Sequence, residues 1–65
     1  MPIITMTMGP ATQDQKTRLV ADLTASAAAA TQIPEQFFMV AIQELPLDSL
    51  GVGGKTVEAM HADES

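Results

Sequence analysis

One helical stretch set between two short apolar runs of strand-forming residues constrains this fold more than anything else in the chain. The first run, Pro2-Ile3-Ile4-Thr5-Met6-Thr7-Met8, is rich in β-branched residues and uncharged. Ile4, Met6 and Met8 fall on one face, and Ile3, Thr5 and Thr7 on the other. Gly9-Pro10-Ala11 breaks the strand, and Thr12 with Gln15 three positions on makes a capping box, with Asp14 in the first turn. The spacing predicts a helix from about 13 to 31, with Leu19, Val20, Leu23, Ala27 and Ala30 close to one stripe. Lys16, Arg18, Asp22 and Ala25 lie mostly off it, and Arg18 with Asp22 forms an i,i+4 pair. The small run Ala27 to Ala30 suits a helix end packed against neighbouring backbone.

Gln32-Ile33-Pro34 stops the helix, because the residue before proline avoids helical backbone. Pro34 to Phe37 can form one short turn. A second strand is predicted over about 38–45, with Phe38, Val40, Ile42 and Glu44 sharing a face. Pro46 to Ser49 reads as a turn or helical half-turn. In Gly51-Val52-Gly53-Gly54 the glycines call for positive φ or close backbone approach, which predicts a hairpin over about 50–57 reaching to a neighbouring subunit. Lys55 to Met60 reads as a short strand or turn, and 61–65 as a frayed polar tail. The expected fold class is α+β: one domain over 1–65, a right-handed β-α-β unit followed by a C-terminal β-hairpin.

Such a unit leaves one sheet face and both strand edges open, and must find partners. At 65 residues with no cysteine and one histidine, disulfides, thiolate metal sites and histidine clusters are excluded as reinforcement, which leaves oligomerisation. The net charge of −5, with only Lys16, Arg18 and Lys55 positive, argues against nucleic acid and anionic membrane as partners. No apolar run is long enough to cross a bilayer and no secretory signal is visible, so a soluble cytoplasmic protein is expected. The five methionines are explained by gap filling rather than by a soft metal. The glycine segment lacks the context of a phosphate loop, and Glu35, Glu44, Asp48 and Glu58 show no paired acid/base spacing.

Pro2 is the chemically unusual residue. It follows an initiator methionine that is normally trimmed before a small residue, and trimming would leave a secondary amine at the head of an apolar strand. Apolar surroundings disfavour the charged form of an amine, so this nitrogen would be a base poised towards neutrality. Taken alone, Pro2 reads more simply as the start of an edge strand.

Pro2-Ile3-Ile4, Asp14-Gln15-Lys16, Ile33-Pro34, Val40-Ala41-Ile42-Gln43-Glu44 and Gly51-Val52-Gly53-Gly54, in that order and spacing, resemble 4-oxalocrotonate tautomerase, the small-subunit branch of the tautomerase superfamily. The resemblance spans position 2 to about 57. It implies a β-α-β subunit of a homohexamer, a trimer of dimers. It implies Pro2, freed of Met1, as general base and then general acid in a keto–enol proton transfer on a small 2-hydroxydienoate or enol, with no metal or organic cofactor. The family's two substrate-gripping arginines align with Ala11 and Met39, and its pocket-closing aromatic with Leu50. Lys55 is then the remaining candidate for a substrate carboxylate, and a dicarboxylate should bind poorly. The missing arginines also admit a second expectation, a non-catalytic or heteromeric subunit of the same fold.

Overall fold

The computed structural model describes residues 1–64, the last two as backbone alone. Strand β1 (Ile3–Met8) leads into helix α1 (Gln13–Thr31), a single 3-10 turn (Glu35–Phe37) and strand β2 (Met39–Glu44). A second 3-10 turn (Leu47–Ser49) precedes the short strands β3 (Gly51–Val52) and β4 (Lys55–Thr56), and helix α2 (Val57–Glu64) closes the order. β1 and β2 pair in parallel from Ile3 opposite Met39 to Met8 opposite Glu44, while β3 and β4 form an antiparallel hairpin. The α+β class and the β-α-β unit therefore hold.

Local chemistry explains each boundary. The Thr12 hydroxyl accepts from the Gln15 N–H (3.1 Å), and the Gln15 side chain accepts from the Thr12 N–H (2.9 Å), closing the capping box that starts α1. At its end Gln32 turns left-handed (φ 60°) and donates its N–H to the Ala28 carbonyl at 2.8 Å, one residue ahead of the Ile33-Pro34 stop. In the hairpin Gly53 and Gly54 take φ of 62° and 89°, which a side chain would resist. Gly51 instead allows close approach, since a Cβ there would lie 3.3 Å from the Lys55 carbonyl oxygen.

The C-terminus departs from expectation. Residues 57–64 form a helix rather than a short strand or turn running into a frayed tail, and Ser65 lies outside the described residues. Its start is capped: the Thr56 hydroxyl accepts from the Ala59 N–H at 3.1 Å, and the Val57 N–H donates to the Leu50 carbonyl at 2.7 Å. Threonine followed by Val57-Glu58-Ala59-Met60 was a readable cap signal, masked by the polar composition beyond it.

Packing is one-sided. Ile4, Met6, Met8, Val40 and Ile42 are half-buried beneath α1, whereas Ile3, Thr5, Thr7, Met39, Ala41 and Gln43 form an exposed, uncharged face. Ile3 is 61% and Met39 50% exposed. The covered stripe of α1 is displaced from the one its sequence suggests: Lys16, Leu19, Leu23, Thr24, Ala27 and Ala28 are half-buried, while Val20 and Ala30 face outward. Among the described residues none is fully buried. The Cα radius of gyration is 15.1 Å, against about 11 Å for a compact domain of this length. The accessible surface is 4802 Å², against about 4,000 Å² for a folded monomer of this mass. A chain with these dimensions has no core of its own to match its apolar content.

Candidate active site

Pro2 sits at the head of β1, half-buried, and its carbonyl accepts the Met39 N–H at 3.0 Å. Ile3 and Met39 are opposite one another in the register. Pro2 and Met39 are thus fixed together at one end of the sheet. Met1 beyond them is 84% exposed.

Ala11 and Leu50 lie towards the other end, where β1 stops. The Leu45 N–H donates to the Met8 carbonyl at 2.8 Å, extending the sheet contact past β1. A Cβ on Gly9 would lie 3.0 Å from Leu47 Cδ2 and 4.0 Å from Leu50 Cδ1, so these two leucines cover the glycine where β1 ends. Lys55 pairs with Val52 in the hairpin just beyond. The six residues of β1 separate the two groups, a span of about 20 Å at the usual rise per residue. One copy of the chain cannot enclose all five candidates.

The charged residues are arranged in a way the sequence only half revealed. Arg18 and Asp22 form the expected i,i+4 pair at 3.2 Å. Lys16 does not pair within its helix but with Glu44 of β2, Nζ to Oε2 at 2.8 Å. The other carboxylate oxygen, Oε1, accepts the Ala11 N–H at 2.8 Å. Sequence spacing set Lys16 off the apolar stripe, but the structure half-buries it on the face of Leu19 and Leu23, towards Glu44 at the end of β2. The Lys16 and Ala11 hydrogen bonds hold the Glu44 carboxyl below the usual carboxylate range. Because the folded value is depressed, the stabilisation is present above the ordinary glutamate pKa of about 4.3 and is lost as pH falls through the lower folded value. Acid titration followed by the Ala11 amide resonance should show that signal moving only below pH about 4.3; movement near neutrality would contradict this coupling.

A trough of about 420 Å³ runs between β1 and α1, lined by Met6, Met8, Pro10, Gln15, Arg18, Leu19 and Asp22. None of the five candidates lines it, and its mostly apolar walls suit packing against protein better than chemistry. No group of three or more acidic, histidine or cysteine residues is placed to hold a metal among the described residues. No helix among them is long and apolar enough to cross a membrane.

A family model described as tautomerase enzyme matches residues 2–60. The chain belongs to the tautomerase family. No curated protein matches it. Solved structures do. An apo "unFused" 4-oxalocrotonate tautomerase is 33% identical, with 91% of this chain and 98% of that chain covered and a TM-score of 0.88. TomN, a 4-oxalocrotonate tautomerase homologue of the tomaymycin biosynthetic pathway, is 28% identical, with 98% and 100% covered and a TM-score of 0.93. A heterohexamer 4-oxalocrotonate tautomerase from Chloroflexus aurantiacus is 34% identical, with 89% and 95% covered and a TM-score of 0.86. The match to the tautomerase model begins at the residue that heads β1, Pro2.

Proposed function

We propose that this tautomerase-family chain is a cofactor-free keto–enol tautomerase whose base is the Pro2 nitrogen, exposed by removal of Met1. The observation that carries the reading is Pro2 itself, held by the Met39 N–H at the head of an apolar strand. The ring fixes φ, so the lone pair is aimed by the fold rather than by a rotamer. The nitrogen takes the proton of an enol hydroxyl, and the O–H electron pair becomes the carbonyl π bond. The carbon π pair shifts along the conjugated chain, and the resulting ring N–H returns the proton to its terminal carbon. Nothing is oxidised or reduced.

The pocket in this reading lies between copies of the chain in a hexamer, with Pro2 and Met39 from one copy and Ala11, Leu50 and Lys55 from another. The uncovered sheet face and the roughly 20 Å between the two groups support it. Met39 and Leu50 keep the amine dry, and Ala11 forms a short-side-chain wall. Lys55 stands nearest the glycine turn as a candidate for a single substrate carboxylate. With no guanidinium at positions 11 and 39, a dicarboxylate would bury one charge without a fork to hold it. Ultraviolet-monitored ketonisation should therefore favour phenylenolpyruvate over 2-hydroxymuconate by about tenfold in kcat/KM, the effect of one lost charged hydrogen bond. The reverse ranking contradicts this pocket, and equal rates for wild type and Pro2→Ala contradict the reading as a whole.

A second reading is favoured by Ala11 and Met39 together with the heterohexameric neighbour. Here the chain is a structural subunit whose partner chain supplies the cations. It requires that the purified chain alone turn over neither enol.

A further inference from the structure

We propose that Glu44 is a positioning residue that fixes the Gly9–Thr12 loop, and with it the Ala11 wall of the substrate pocket; this rests on the tautomerase reading above. Three elements meet at its carboxylate. Glu44 ends β2, its Oε1 accepts the Ala11 N–H at 2.8 Å, and its Oε2 accepts Lys16 Nζ of α1 at 2.8 Å. The loop is pinned on both sides of Ala11. Met8 is held by the Leu45 N–H, and the Thr12 N–H is held by the Gln15 side chain. Glu44 supplies the anchor between them. The bond is charge-assisted, and the backbone it holds is the one that presents Ala11.

The consequence follows from how short that wall is. A long arginine could reach a substrate from a loop placed loosely. A methyl group and a peptide backbone cannot, so the loop's own position sets the fit. Glu44 also pairs with the Lys16 ammonium of α1, which ties the loop to that helix. Its effect is therefore expected on substrate binding and not on the chemical step, which Pro2 carries out at the opposite end of its own sheet.

The test uses the intact assembly, phenylenolpyruvate as probe, and amide hydrogen exchange at Ala11. Glu44→Ala should speed Ala11 exchange about tenfold or more and raise KM by about fivefold, with kcat changed by less than about twofold. Glu44→Gln keeps an acceptor oxygen for the Ala11 N–H and should restore both to near wild type. If Glu44→Ala does not assemble, the double variant K16M/E44M removes the carboxylate without leaving an unpaired ammonium, and should show the same loss at Ala11. Unchanged Ala11 exchange in these variants, or unchanged KM in the presence of faster exchange, overturns the positioning role. If wild type and Pro2→Ala turn over alike, or neither turns over, the tautomerase reading fails and this role fails with it. If Pro2 is essential and Glu44 moves neither readout, the positioning role alone fails.

Discussion

Pro2→Ala will lower kcat/KM for phenylenolpyruvate by about a hundredfold or more, the usual worth of a positioned general base. The substitution is informative because trimming of Met1 before alanine leaves an amine in both proteins. What changes is the kind of amine. The pyrrolidine nitrogen is a ring member whose direction is set by the backbone, and that backbone is tied to β2 by the Met39 N–H. An alanine amine rotates freely, so the fold no longer aims its lone pair. Secondary structure, assembly and melting should be unchanged, since Pro2 precedes the first residue of β1 and its carbonyl, not its nitrogen, bonds to the sheet. A variant that loses both assembly and activity would report a structural proline rather than a catalytic one.

Ala41→Asp should have an effect of comparable size on assembly. Ala41 lies at the centre of the exposed face, opposite Thr5, with Ile3, Met39, Thr7 and Gln43 around it and no charge among them. In the proposed hexamer copies cover this face, and each buried, unpaired carboxylate costs about 3–5 kcal/mol. Every copy would carry one. A domain with no fully buried residue among those described has little stability of its own to absorb that cost. Light scattering should report the mass of a single chain, and circular dichroism should show loss of helix at the same concentration. An unchanged particle mass would show that the face is open to solvent in the working protein.

The sequence carried most of this fold in its periodicities. The alternation in β1 and β2 and the Thr12–Gln15 box placed α1 and both strands to within a residue or two. The helix stripe was less legible, because helix spacing groups Val20 and Ala30 with Leu23, while the sheet beneath α1 selects Lys16, Leu19, Leu23 and Ala27. Helix α2 was missed for a different reason. Its signal is a threonine cap and a bond from Val57 to Leu50, a tertiary contact that no composition window contains. The Glu44–Lys16–Ala11 junction joins positions 28 and 33 apart in the chain, so it becomes visible only when the parallel register is known. The candidate site was legible as residue identities but not as geometry, since its two halves lie at opposite ends of one sheet.

The free amine of Pro2 is tested most directly by joining two readings on protein isolated from its native source: intact mass, and the 15N chemical shift of the Pro2 nitrogen across pH. The account predicts a mass lacking Met1 and a Pro2 nitrogen that titrates below the ordinary α-amino value of about 7.7. A mass that includes Met1, or a nitrogen that does not titrate, would contradict it.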